Sequence, residues 1–199
     1  MRIGIIGGTF NPIHYGHLFA AEEVYHRFGL GRVIFVPSYQ PPHKACQVAP
    51  ARDRFLMTEL AISSNPHFKI SDIEIDRAGK SYTIDTVKSF KETYGRKAQI
   101  YFITGADAIL DIGTWKDFRQ LLKLCQFVAL TRPGYNLEKL EKSLLGEIIL
   151  VELPALAISG TDIRRRLKEG KPIKYLVPEC VEDYIYKHGL YRETIRAHS

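Results

Sequence analysis

The sequence predicts an α/β protein, a doubly wound parallel sheet with a small helical C-terminal extension. Three stretches near the N-terminus carry this expectation. "RIGIIGG" is a short apolar run closing on glycines, which suits a buried strand. From Leu18, apolar residues recur at Ala21, Val24, Tyr25 and Phe28, a helical spacing that Gly29 stops. "RVIFVPS" is a second apolar run, so strand, helix and strand follow one another within about forty residues. That is a βαβ unit, and its strands must run parallel.

The remaining elements continue the alternation. "QPPHK", 40–44, is a proline-stiffened loop. A helix follows over roughly 51–63, with Phe55, Leu56, Leu60 and Ile62 directed inward. "FKISDIEI" alternates like a strand through Ile70, Ile73 and Ile75, and "DRAGKSY" is a loop. Ile84, Val87, Phe90 and Tyr94 form a helical stripe. "IYFITG" is a buried strand, "WKDFRQLLKL" a helix, "FVALT" a strand, "RPGYN" a turn, "LEKLEKSLL" a helix and "IILVEL" a strand. "ISGTDIRRRLKEG" and a last helix from Pro178 to His188, stopped by Gly189, complete the order. One domain over 1–191 is expected, helical from about 159, with 192–199 as a patternless tail.

Composition narrows the classes. Of 199 residues, 45% are hydrophobic and 25% charged, ordinary values for a soluble globular protein. The formal charge of +6 suits anionic partners. Its Lys and Arg are scattered, with the densest run at Arg164–Arg166, so no nucleic-acid stripe is expected. Cys46, Cys125 and Cys180 are far apart and form no CxxC pair, which reads as reduced thiols in a cytoplasmic protein. His43 and Cys46 alone make a weak metal site. No apolar run is long enough to span a membrane, and Gly7 and Gly8 interrupt any signal-peptide core. Oligomeric state is left open, a homo-oligomer included.

The chemistry concentrates in "GGTFNPIHYGHL", 7–18. Two glycines between a strand and a helix allow a sharp bend and close ligand approach. A helix starting near Gly16 offers unpaired N–H groups to a phosphate. Neither the Walker loop nor GxGxxG is present. His14 and His17 share one face at this helix start and can both donate to one phosphate group, at about 1.5–3 kcal/mol per charge-assisted bond. Zinc would want the HExxH spacing and a third ligand. The plainer alternative is that His14 caps the helix and His17 packs.

Here the sequence resembles a known group. "GGTFNPIHYGHL" is similar to the GxFxPxHxGH signature of the nucleotidyltransferase α/β-phosphodiesterase superfamily, and "ISGTDIRRRL" to its second signature, IS-x-T-x-I-R. "FVPSYQPPHK", "SYTIDT", "FITGAD", "TW" and "YLVPECVEDYIYKHGLY" extend the resemblance, up to Tyr191, to the bacterial nicotinate mononucleotide adenylyltransferase family. The resemblance implies a Rossmann-like fold and a single nucleotidyltransferase domain. It implies adenylyl transfer from ATP to nicotinate mononucleotide, giving deamido-NAD and pyrophosphate by direct in-line attack, with Mg²⁺ accompanying ATP. The nucleophile is already an anion, so positioning and charge neutralisation remain as the work.

By the same resemblance, His14, His17 and Arg164 form the catalytic group around the ATP phosphates. Gly8, Thr9, Phe10, Lys44, Ser159 and Thr161 bind ATP. Thr83, Gly105, Asp107, Trp115 and Arg132 bind the mononucleotide. Thr161 is a candidate N-cap, which sets Arg164 in the first turn of its helix, where a guanidinium fork can clamp phosphate oxygens. Ile163 and Leu167 face the core, and Arg165 and Arg166 the solvent. Many relatives carry Ser or Ala where this chain has Gly160, a change expected to cost little beyond local flexibility. The helix start at Thr83 suits a carboxylate, and Trp115 either stacks on a pyridine ring or packs in the core. Lys116 stands where many relatives carry Tyr, which loosens the acid-over-amide expectation. Alternatives are a sister enzyme preferring nicotinamide mononucleotide, a pantetheine-phosphate or cytidylyl relative, and a nucleotide-sensing module without turnover.

Overall fold

The computed structural model describes residues 1–40, 48–131, 146–154 and 156–192. Six strands form one sheet in the order β3-β2-β1-β4-β5-β6, every neighbouring pair parallel. They are β1 (Arg2–Gly8), β2 (Arg32–Pro37), β3 (Phe68–Ile70), β4 (Gln99–Gly105), β5 (Gln126–Thr131) and β6 (Ile148–Glu152). The chain order reverses between β1 and β4, and Ile6 stands opposite Ile103 there. Such a reversal opens a crevice beyond the carboxyl ends of the strands.

Helices cover both faces because each strand is apolar on both sides. On one face Ile6, Val33, Phe35, Ile103 and Val128 pack with residues of α1 (Tyr15–Phe28), α2 (Ala51–Ile62), α7 (Gly160–Lys168) and α8 (Glu179–Lys187). On the other, Ile3, Ile5, Ile34, Phe102 and Phe127 pack with α4 (Thr83–Tyr94), α5 (Ala106–Leu110) and α6 (Phe118–Leu124). The C-terminal helices share the first core: Ile163, Leu167, Val181 and Ile185 are all buried in it. No described helix is long and apolar enough to cross a membrane.

Several elements differ from expectation. "FKISDIEI" is a strand only over Phe68–Ile70 and then turns into helix α3 (Ile73–Arg77). Ser71 causes the change: its N–H still donates to the Phe35 carbonyl, while its hydroxyl accepts from the Ile73 N–H. The turn carries Glu74 inward, where it is buried. "WKDFRQLLKL" is helical only from Phe118, and α5 and a 3₁₀ turn over Ile112–Thr114 precede it. The "RPGYN" turn and the "LEKLEKSLL" helix lie outside the described residues.

Helix α2 buries Phe55 and Ile62 as expected, but Leu60 is 38% exposed and Arg54, Met57, Thr58 and Ala61 also face inward. Arg54 is only 1% exposed. Its guanidinium donates to three carbonyl oxygens: Ala49 from Nε (2.9 Å), Thr9 from Nη1 (2.7 Å) and Tyr39 from Nη2 (3.0 Å). Thr9 lies in the connection after β1, and Tyr39 and Ala49 lie near the two ends of the connection between β2 and α2. A planar fork of fixed donors can tie three carbonyls of two connections at once, which an ammonium cannot copy. We predict that Arg54→Met costs about 2–4 kcal/mol, since orphaned buried acceptors cost roughly 1–3 kcal/mol each and some regain water. Urea unfolding measures this, and a loss below about 1 kcal/mol would contradict the bracing role.

Candidate active site

A cleft of about 1140 Å³ opens at the β1–β4 reversal. Gly8 and Gly105, the last residues of β1 and β4, both line it. Thr9, Phe10, His14, His17, Ser159, Thr161 and Arg164 also line it, as do Thr83, Asp107 and Trp115. Residues from both ends of the chain and from its middle are thereby brought into one space. Lys44 and Arg132 lie outside the described residues.

The turn after β1 sets the first part of the site. Phe10 has φ +45°, a strained value for a residue with a side chain. Its ring is buried, and it meets His17 edge-on with centroids 5.1 Å apart. His14 is the N-cap of α1, so the capping alternative describes its backbone position. Its ring nevertheless borders the cleft and stacks on His17 at 3.7 Å. The His14 N–H donates to His17 Nδ1 at 3.2 Å. For Nδ1 to accept, the hydrogen of a neutral His17 ring must sit on Nε2. The fold therefore sets which nitrogen of His17 is the donor.

Gly16 makes this pairing possible. A Cβ there would lie 3.0 Å from His14 Nδ1 and 3.1 Å from Cε1. The glycine between the two histidines is thus a space for an imidazole ring, which the motif's spacing alone does not reveal.

The second motif arrives from α7. Its N-cap is Ser159, not Thr161: the Ser159 hydroxyl accepts from the Asp162 N–H at 3.1 Å. With the helix beginning at Gly160, Ser159 has the reach that a capping hydroxyl needs, and Thr161 is already inside the first turn. Arg164 consequently falls in the second turn. Its side chain reaches back toward the helix start, as helical side chains do. Nη1 donates to the Asn11 carbonyl at 2.7 Å and Nη2 to the Thr161 hydroxyl at 3.3 Å. Arg165 and Arg166 both pair with Asp162 on the solvent side. That exposed pairing holds the Asp162 carboxyl below the usual range, chiefly through the bond from Arg166.

Gly160 costs more to replace than the sequence suggests. A Cβ at this position would lie 2.9 Å from the Asn11 carbonyl oxygen and 3.3 Å from Arg164 Nη1. Backbone would have to move, so this glycine lets the two motifs touch.

The other end of the cleft lies over α4. Thr83 is the first residue of that helix, where N–H groups lack intrahelical partners. The Trp115 ring packs edge-on against Phe102 (6.1 Å) and Phe127 (6.0 Å) and also lines the cleft. Lys116 lies 3.2 Å from Asp85 and 4.8 Å from the Tyr82 ring centre. Glu74, unforeseen, also lines this end and accepts from the Thr86 hydroxyl at 2.6 Å. Burial pushes its carboxyl pKa up, against the opposing pull of that hydrogen bond.

Asn11 and Arg54 were missed for different reasons. Asn11 sat within the quoted motif but carries no obvious chemistry. Arg54 is a charged residue beside Phe55, and nothing in the local sequence pattern marks it as buried. Among the described residues, no three His, Cys, Asp or Glu side chains gather as a metal site.

Comparison with known proteins bears on the family and the fold. The model of the cytidylyltransferase-like family matches residues 5–166. A Moorella thermoacetica protein named "Probable nicotinate-nucleotide adenylyltransferase" is 57% identical, over 96% of this chain and 92% of its own. A Thermoanaerobacter protein of the same name is 55% identical, over 97% and 95%. Among solved structures, Plasmodium falciparum nicotinic acid mononucleotide adenylyltransferase complexed with NaAD superposes with a TM-score of 0.78. It is 22% identical, covers 96% of this chain and 97% of its own, and so speaks for the fold. This chain belongs to the cytidylyltransferase-like family and, within it, to the nicotinate-nucleotide adenylyltransferases.

Proposed function

We propose that the chain transfers the adenylyl group of ATP to nicotinate mononucleotide, releasing pyrophosphate and forming deamido-NAD for NAD biosynthesis. The observation that supports this reading is that His14, His17 and Arg164 all line one crevice at the strand reversal of a parallel sheet. In the reaction an oxygen of the mononucleotide phosphate forms a bond to the α-phosphorus. The bond from that phosphorus to the α,β-bridging oxygen breaks, and the electron pair leaves with pyrophosphate.

No side chain needs to remove a proton, because the attacking phosphate is already ionised. The protein's task is to align two bound reactants, worth about 7–11 kcal/mol, and to answer charge on the leaving group. We assign His14 and His17 as donors to the ATP phosphates and Arg164 to the β- or γ-phosphate. Two of the guanidinium's five donors already orient it against Asn11 and Thr161, so the planar fork is fixed before substrate arrives. Gly8, Thr9, Phe10, Ser159, Thr161 and Lys44 are assigned to ATP. Thr83, Gly105, Asp107, Trp115 and Arg132 are assigned to the mononucleotide, with its carboxylate at the start of α4. Mg²⁺ bound with ATP would supply positive charge against the pyrophosphate group, beside the His14, His17 and Arg164 donors. We read residues 1–191 as one catalytic domain in a cytoplasmic enzyme. The free Cys125 thiol, pushed up to about 12 by burial, is chemically quiet in that setting.

Purified protein given ATP, Mg²⁺ and either nicotinate or nicotinamide mononucleotide tests the reading. We expect pyrophosphate release with a higher kcat/KM for the acid. A preference for the amide would overturn the substrate assignment, and no pyrophosphate with either would favour a nucleotide sensor. His17→Ala should lower kcat by about 10²–10³, the effect of removing one preorganised donor. An unchanged kcat would return His17 to a packing role.

A further inference from the structure

The turn from Thr9 to His14 is held from outside by groups remote in sequence. One is Tyr191, whose hydroxyl donates to Asn11 Oδ1 at 2.8 Å across 180 positions of chain. The same oxygen accepts from the Ala49 N–H at 3.0 Å. The Asn11 main-chain carbonyl is the oxygen that receives Arg164. Asn11 is therefore the joint between the C-terminal end of the fold and the guanidinium assigned to the triphosphate.

The backbone around Tyr191 is shaped for this contact. Helix α8 ends at Lys187, and Gly189 just beyond its His188 C-cap takes φ +61°, with the Leu190 N–H donating to the Ile185 carbonyl. Tyr191 itself takes φ +64°, a left-handed value uncommon for a bulky residue. Such backbone persists where surrounding contacts over-determine it. Its ring packs on the first core, and α8 is fastened to α2 by the Tyr184 hydroxyl, which donates to Asp53 at 2.8 Å. Burial pushes the Tyr191 phenol pKa up, so the hydroxyl keeps its proton and remains a donor throughout the working pH range. A ring needed only for packing would have no use for a hydroxyl aimed at Asn11.

We propose that Tyr191 is a positioning residue for the ATP side of the cleft, acting through Asn11 to hold the Thr9–His14 turn and the Arg164 guanidinium in their triphosphate-receiving arrangement. The inference rests on the adenylyl-transfer reading above. The mononucleotide side, built on α4 and Trp115, is untouched by this joint.

Tyr191→Phe keeps the ring and removes only the donor. The expected result is a KM for ATP raised about tenfold, the equivalent of one hydrogen bond, with the KM for nicotinate mononucleotide within twofold of the parent. A non-hydrolysable ATP analogue, titrated by calorimetry into the same two proteins, should bind about tenfold more weakly to the variant. That titration requires no turnover. A parent protein that binds the analogue but releases no pyrophosphate would therefore sink adenylyl transfer alone. A rise in the ATP constants less than threefold above that for the mononucleotide would overturn the Tyr191 role, because loosened structure would affect both substrates alike.

Discussion

The hydrogen bond from Arg164 to the carbonyl of Asn11 joins two motifs that lie 153 positions apart. Core packing of Ile163 and Leu167 with Phe10 and Ile13 seats the basic helix beside the glycine-rich turn, and the Arg164–Asn11 contact sets where the guanidinium sits between them. With it, the guanidinium and the paired imidazoles share a single frame. Gly160 leaves room for the contact, and Gly16 leaves room for the His14 ring. Both glycines serve by lacking a Cβ; neither has a positive φ.

The same economy governs the chemistry. An anionic nucleophile and an anionic leaving group ask for donors and cations in fixed places, and not for a base. The fold supplies fixed places by tying carbonyl oxygens. Arg54 binds those of Thr9, Tyr39 and Ala49, and Arg164 binds that of Asn11. Two arginines with different tasks thus brace the same turn, one buried beneath it and one bordering the cleft.

Much of the architecture was legible because parallel strands are apolar on both faces and punctuated by glycine. "RIGIIGG" and "IYFITG" are such runs, "FVALT" is apolar without the glycine, and each lies in a strand. Legibility failed where tertiary contacts overrode local pattern. The alternation of Ile70, Ile73 and Ile75 suits a strand, yet Ser71 turns the chain and Glu74 goes inside. Leu60 is apolar and Arg54 charged, but three carbonyls make the arginine the better interior residue. At the site, residue types and spacing named the histidines and Arg164. Sequence could not show Asn11 as their joint, because an asparagine in a turn carries no signal until its partners are known.

The central claim is that His14, His17 and Arg164 converge on one triphosphate. A crystal structure with a non-hydrolysable ATP analogue tests it most directly. The account predicts phosphate oxygens within about 3.2 Å of His17 Nε2 and of the Arg164 guanidinium, with the Arg164–Asn11 bond retained. Phosphates seated elsewhere, with those three side chains turned away from them, would contradict it.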